Sequence, residues 1–333
     1  TKMSKQVVNS PLSLLGELKQ RRNTYEKRGL STGWKKADEF MSLKKGYPIM
    51  IGGYAGSGKS EVAFDIAINS SVDHDWLWLI VSPETGDQFE IMEYLIEKVA
   101  QGKHIGKKYQ GALSDDEYES IVKWLHKHIR ILDRQSGWDD VFTGLDFSLK
   151  NLFEVVENVE KQLKGKFDGI IIDPFNELDL NLGGNIAGTV KDELDALIRY
   201  TKKNNYLTIL TNHANNRHEI QSKDENGKSF FWKPPATKEE WAFGQQFARK
   251  GYQMLFVYEP PIQFQHLQRN EGNIDFMESI NNNYNVREIL CQKTKPKGVG
   301  KTGKFCLHFD RQHQRYYEID SLGMKKKIKY PKL

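Results

Sequence analysis

The sequence predicts an α/β domain: a mainly parallel central sheet flanked by helices, with a β-hairpin region near the C-terminus. Three observations predict it. Short apolar runs alternate with helix-periodic segments along most of the chain. The runs are continuous, as in strands buried on both faces, not alternating as in half-exposed ones. The run at 47–52 (Y-P-I-M-I-G) leads directly into Gly53-Tyr54-Ala55-Gly56-Ser57-Gly58-Lys59-Ser60, and helical residues 61–69 follow. That octapeptide fits the G-x-x-x-x-G-K-[ST] phosphate loop at every defined position, between a strand and a helix as the chemistry requires.

Glycines let consecutive N–H groups curl around a phosphate, and the following helix adds the positive end of its dipole. Lys59 neutralises the outer phosphates and the Ser60 hydroxyl can ligate Mg²⁺. The expected nucleotide-binding set is therefore Gly53, Ala55, Gly56, Ser57, Gly58, Lys59, Ser60 and Glu61.

Composition narrows the class. With 333 residues the chain can hold one large α/β domain or two small ones. Hydrophobic residues make up 38% and charged residues 28%, and the longest apolar run, 76–81, is too short to cross a bilayer. No secretory leader is recognisable, and the first residue is Thr1, so an excerpt of a longer chain is expected. Cys291 and Cys306 lack a CxxC or His-rich pattern, which argues against a disulfide scaffold or zinc site and fits a reducing compartment. A net charge of +5 permits a polyanionic partner without demanding one.

Taken in order, residues 10–28 read as a helix with Leu12, Leu14, Leu15 and Leu18 on one side. It either covers its own domain or is an arm that docks on a neighbouring subunit. Residues 76–82 (W-L-W-L-I-V-S) form a buried strand, and Thr85 with Gln88 reads as a capping box opening a helix to about Gln101. A second box, Ser114 with Glu117, opens a helix to about Lys127, with a strand at 128–133. Leu149, Leu152, Phe153, Val156, Val159 and Leu163 recur at helical spacing. A polar, Gly-rich loop at 180–189 precedes a helix bearing Leu194, Leu197, Ile198 and Thr201.

Two further strands carry chemistry at their ends. The run 167–177 (F-D-G-I-I-I-D-P-F-N-E) places Asp173 at the C-terminal edge of a central strand, where open parallel sheets bind ligands. In phosphate-loop enzymes that carboxylate completes the Mg²⁺ shell. The strand at 206–211 (Y-L-T-I-L-T) ends in Asn212-His213. Glu84, Asp173 and His213 at equivalent strand tips suggest a common site, although a lone His is usually structural.

Residues 214–238 lack hydrophobic periodicity and read as a long loop containing Arg217, Lys223, Lys228 and Lys233 with Phe230, Phe231 and Trp232. Cations with aromatics suit single-stranded nucleic acid, and a solvated loop is the plain alternative. Near the end, a strand at 286–293 and one at 305–309 flank a lysine-rich stretch (K-T-K-P-K-G-V-G-K-T-G-K), expected to be a cationic hairpin tip.

The ordered set G-L-S-T-G-W, G-Y-A-G-S-G-K-S, V-S-P-E-T, I-I-I-D-P-F-N-E, L-T-N-H and K-T-K-P…G-K-T-G-K-F-C-L-H-F-D resembles the RecA-like motor domain of ring-shaped replicative DNA helicases. The likeness is greatest to the Twinkle and phage primase-helicase branch of the DnaB-type family, over about 29–318. The resemblance implies a RecA-like P-loop NTPase domain at 29–333 preceded by a linker or arm helix at 1–28. It implies a ring, expected to be a hexamer, with ATP or another NTP and Mg²⁺ at subunit interfaces and single-stranded DNA in the channel. A primase domain or protein is a further partner it allows, and none is a membrane. The cytoplasm of a bacterial or phage-infected cell is expected ahead of a mitochondrial matrix.

By the same resemblance, Lys59 and Ser60 hold the outer phosphates and the metal, Asp173 completes the metal shell and Glu84 polarises the attacking water. His213 matches the γ-phosphate sensor, and Gln245 and Gln246 in F-G-Q-Q-F match the segment coupling the site to DNA-facing loops. The family's late Lys-x-Arg, which reaches into the adjacent subunit's site, is here Lys293 and Lys295. Lysine keeps the charge but loses the planar fork. A RecA-type recombinase filament and a non-motor ATP-binding module of the same fold are the alternatives.

Overall fold

Each apolar run is divided between two cores by the strand's period of two. In the computed structural model, which describes residues 10–23, 28–133, 146–180, 185–215, 217–224, 226–261, 286–319 and 325–333, strand β1 is Ile49–Gly53. Ile49 and Ile51 face one core and Met50 the other. Strand β2 (Trp78–Val81) sends Trp78 and Ile80 to the first core and Leu79 and Val81 to the second. Burying one such side chain contributes about 1.5–3 kcal/mol.

The first face of the sheet carries α3 (Lys59–His74), α4 (Gln88–Val99) and α5 (Asp115–His128); before them come α1 (Leu15–Asn23) and the single turn α2 (Ala37–Phe40). Strand β3 (Ile129–Ile131) follows α5 directly. The second face carries α6 (Leu149–Leu163), α7 (Ile186–Asn204) and α8 (Gly244–Lys250), with β4 (Gly169–Ile172) and β5 (Leu207–His213) between them. A short hairpin, β6 (Ile220–Lys223) and β7 (Ser229–Trp232), precedes α8. The strands β8 (Gln253–Tyr258), β9 (Val286–Lys293), β10 (Gly303–Asp310) and β11 (Arg315–Tyr317) complete the fold.

The nine-stranded sheet runs β11-β10-β9-β8-β1-β5-β4-β2-β3. From β8 to β3 neighbours are parallel, and β9 to β11 are added antiparallel. The expected mainly parallel sheet with helices on both faces and a C-terminal hairpin region is the observed architecture.

Several local expectations need correction. The box opening α4 is formed by Asp87 with Glu90, because the Thr85 hydroxyl is 2.6 Å from Ser82 Oγ and does not cap the helix. Residues 214–238 are not one long loop: β6 and β7 pair in register from Ile220–Trp232 to Lys223–Ser229. The lysine-rich stretch is no free tip, since Val299 is buried, its carbonyl accepts the Ser42 hydroxyl at 2.7 Å, and Lys301 lies over the Phe40 ring. Helix α1 buries none of its residues, and Leu12, Leu15 and Leu18 are exposed, so among the described residues nothing shows it covering its own domain. The centre of the 180–189 loop, 181–184, lies outside the described residues; Asn185 caps α7 through Gly188 N at 3.0 Å.

A buried charge network ties α3 to α4 and β11. Lys98, fully buried, donates to Asp65 at 2.9 Å and Glu61 at 2.5 Å, and Arg315 Nε lies 3.0 Å from Asp65. Burial opposes the charge on Lys98, but Asp65 and Glu61 more than offset it and raise its pKa. Removing one member of such a set leaves uncompensated charge in the core. Lys98→Met is expected to lower the unfolding free energy by about 3–5 kcal/mol in denaturant titration.

Candidate nucleotide site

The phosphate loop leaves β1 at the C-terminal edge of the sheet. Gly53 has no room for a side chain: an added Cβ would lie 2.3 Å from Ser57 Oγ and 2.9 Å from the Val257 carbonyl. Gly58 caps α3 with φ +93, and its added Cβ would meet the Tyr316 hydroxyl at 2.5 Å. The left-handed geometry there is open to glycine at little cost. Arg287, on β9, braces the loop from below by donating to the Ser57 carbonyl at 2.9 Å, and its other end pairs with Glu259 at 3.0 Å.

Lys59 is 6% exposed. Its Nζ donates to the Tyr54 carbonyl at 3.1 Å and lies 3.3 Å from His213 Nδ1. Burial lowers its pKa, against the field of Asp173 and Glu84. An ammonium desolvated in this way is stabilised by an anion placed beside it.

The strand-tip groups converge. Adjacent parallel strands β4, β5 and β1 bring their C-terminal ends together. Asp173, 1% exposed, accepts from the Ser82 hydroxyl at 2.9 Å and from the Thr211 hydroxyl at 2.5 Å. His213 Nε2 is 3.2 Å from Glu84 Oε2, and the His213 N–H donates to Asn176 Oδ1 at 3.4 Å. One polar chain thus runs Lys59–His213–Glu84, and a second runs Asp173–Ser82–Thr85 through the two residues flanking Pro83 and Glu84. Gly53, Ala55, Gly56, Ser57, Gly58 and Ser60 form the loop beside them. The Ser57 hydroxyl is buried with no hydrogen-bond partner among the described residues, so it fits an oxyanion ligand. Ser60 and Asp173 supply hard oxygen donors, the type Mg²⁺ takes.

Other expected residues stand elsewhere. Glu61 directs its carboxylate to Lys98, so only its backbone faces the loop. Lys293 pairs with Met254 on β8, whereas Gly53 pairs with Val257. The lysine therefore lies about 10 Å further down the strand, at the opposite rim. There Lys293 Nζ donates to the Ala248 carbonyl, and the Lys295 N–H donates to the Tyr252 carbonyl at 2.9 Å. Burial and the neighbouring Lys295 and Lys238 lower the Lys293 pKa. Gln245 and Gln246 lie in the first turn of α8, whose approach is tied to the site: Ala242 N donates to the His213 carbonyl at 2.8 Å, and Asn212 Nδ2 to the Ala242 carbonyl at 2.8 Å. Arg217 turns inward onto Glu240 at 2.7 Å, while Lys223 and Lys228 are exposed on the hairpin and Lys233 is half-buried after it.

Sequence reasoning misses Ser82, Thr211 and Asn176, which orient the expected groups, and Arg287, which supports the loop. The first two lie inside the quoted V-S-P-E-T and L-T-N-H segments. Arg287 has no local signal, since only the pairing of β8 with β9 brings it under Ser57.

Comparison with known proteins agrees with this fold. No family model matches the chain. Over 154 residues, 45% of this chain and 20% of the relative, it is 27% identical to a Twinkle homolog protein, chloroplastic/mitochondrial, of Arabidopsis thaliana. The chain thus covers well under two thirds of that relative's length. A DnaB-like replicative helicase, in a structure concerned with its interactions with primase, superposes with a TM-score of 0.62 at 13% identity, over 93% of this chain and 67% of that one. A separately solved ATPase domain gives a TM-score of 0.62 at 13% identity over 93% and 98%. The RadB recombinase gives 0.50 at 15% over 87% and 100%. The fold is that of a RecA-like P-loop NTPase. The fold is shared with a DnaB-like helicase and an ATPase domain, and the matched 154 residues are similar in sequence to the Twinkle homolog. Among the described residues no helix is long and apolar enough to cross a membrane.

Proposed function

We propose that the chain is the ATP-driven motor of a replicative DNA helicase, working as a ring, with six copies expected, that translocates on single-stranded DNA. The observation that carries this is the meeting of Lys59, Asp173, Glu84 and His213 at one sheet edge while Lys293 and Lys295 occupy the opposite rim. The phosphate end has a cation, a buried carboxylate and a carboxylate–imidazole pair, which is what nucleotide binding and water activation require. The distant lysines would complete a neighbouring subunit's site. Exposed α1, within the proposed 1–28 arm, would pack on another copy, and 29–333 would form the motor domain.

In this mechanism the backbone of residues 53–61 cradles the triphosphate, with Lys59 on its outer phosphates. Glu84, half-exposed and oriented by His213, accepts the proton of the attacking water. His213 sits between Glu84 and Lys59 and would register the γ-phosphate. Mg²⁺ would be held by Ser60, Asp173 and the nucleotide, supplying charge neutralisation at the phosphates. Movement of His213 would reach Gln245 and Gln246 through the Ala242 link, and Lys223, Lys228 and Lys233, with Arg217 as their anchor, would follow the DNA backbone. The cytoplasm of a bacterial or phage-infected cell is the expected compartment, an organellar matrix the alternative, and a primase the expected accessory partner.

ATP hydrolysis is expected to rise at least severalfold with single-stranded DNA, and a forked duplex to be unwound. Hydrolysis indifferent to DNA would instead make the chain a nucleotide-binding module. The match to RadB supports a second reading, a recombinase filament, which strand exchange without fork unwinding would establish.

A further inference from the structure

Residues 233–236, Lys-Pro-Pro-Ala, form a strap leading away from the β6–β7 hairpin. Two of the four have no N–H, so their carbonyls must carry most of the anchoring. Each of the four carbonyls accepts a side-chain donor: Lys233 from the Tyr258 hydroxyl at 2.8 Å, Pro234 from the Tyr54 hydroxyl at 2.7 Å, Pro235 from Arg217 at 3.1 Å and Ala236 from Gln292 at 2.6 Å. Tyr258 and Gln292 belong to strands, and Arg217 is fixed by its ion pair with Glu240. Tyr54 alone among these donors is part of the phosphate loop. Its ring stands edge-on to Phe256 at 5.6 Å, and its own carbonyl accepts Lys59 Nζ at 3.1 Å.

The hairpin held by this strap has two unlike faces. Ser222, Phe230 and Trp232 share one face, closed by the bond from Trp232 Nε1 to Ser222 Oγ at 2.9 Å. Gln221, Lys223, Ser229 and Phe231 share the other. Phe231 is 63% exposed there, with Lys223 beside it on that face and Lys228 at the turn. An accessible ring next to cations is the chemistry that stacks a base and holds the phosphates of a single strand.

We propose that Tyr54 couples occupancy of the phosphate loop to the grip of the β6–β7 hairpin on single-stranded DNA, with Phe231 as the base-stacking contact. The proposal rests on the motor reading above. Without nucleotide, Lys59 Nζ is shared with the Tyr54 carbonyl; a triphosphate draws that ammonium to its own oxygens and releases the carbonyl. The Tyr54 backbone then moves with the loop, and its hydroxyl carries the movement to Pro234 and the hairpin. Coupling of this kind is reciprocal, so bound DNA changes nucleotide affinity by the same factor.

The test is the affinity of the full chain for a labelled oligothymidylate, with and without a non-hydrolysable ATP analogue. In the wild type the two dissociation constants should differ by about tenfold. Tyr54→Phe, which removes one hydroxyl, should shrink that ratio by about fivefold, the equivalent of one neutral hydrogen bond. Tyr258→Phe loosens the same strap from outside the loop and should weaken both constants alike, leaving the ratio intact. Phe231→Ala should weaken binding by about tenfold in both states. If Tyr54→Phe melts normally and keeps the ratio, or behaves like Tyr258→Phe, the coupling is refuted while the motor stands. A wild type that hydrolyses ATP yet binds no oligonucleotide refutes the motor, and the coupling with it.

Discussion

Glu84→Gln should bind nucleotide within about twofold of the wild type and lose about 10²–10⁴-fold in turnover, the range for removing a general base. The amide is nearly isosteric and can still meet His213, so the loop and Lys59 keep their positions. What is lost is the ability to take a proton from water. A fluorescent nucleotide titration measures the first quantity and phosphate release the second. Hydrolysis at the wild-type rate would remove Glu84 from the role of base and turn attention to Asp173, the other carboxylate of the cluster around Lys59. Because Asp173 is 1% exposed and already accepts from Ser82 and Thr211, it is much the poorer candidate.

Lys295→Ala should cost about 10³-fold in turnover if it acts as an arginine finger does. Mixing it with Glu84→Gln gives the decisive result. Each variant alone should be nearly inactive. In a mixed assembly, a subunit that keeps Glu84 can sit beside one that keeps Lys295. In the proposed ring, where contacts run front to back, random equal mixing should restore about a quarter of the interfaces. Sites that are complete within one subunit would recover nothing. Lys295→Arg should raise turnover above wild type, since the planar guanidinium suits an equatorial oxyanion better than an ammonium.

Much of this fold and site is legible in local sequence. The continuous apolar runs at β1, β2, β4 and β5 are dictated by burial on both faces, and the octapeptide at 53–60 by phosphate chemistry. Glu84, Asp173 and His213 are each legible as a polar residue ending such a run. What stays hidden depends on contacts far apart in sequence. Ser82 and Thr211 look like ordinary strand residues until β4 places Asp173 between them. Thr85 satisfies the capping pattern, yet Asp87 outcompetes it because the Thr85 hydroxyl is engaged by Ser82.

The β6–β7 hairpin is hidden for another reason. I-Q-S-K and S-F-F-W are short, and their composition is dominated by the charges between them. Asn226-Gly227 nonetheless carries the turn signal for a hairpin, and Gly227 has φ +78. Helix α1 fails in the opposite sense: its leucines recur at plausible spacing, but periodicity alone does not say which surface, if any, covers them.

The placement of the two chemical ends of the sheet has a geometric consequence. In the proposed ring, a subunit that receives a lysine at one rim and lends its own from the other would contact its neighbours front to back. In such a front-to-back row an open end would leave one centre unfinished, and closing the row would finish them all.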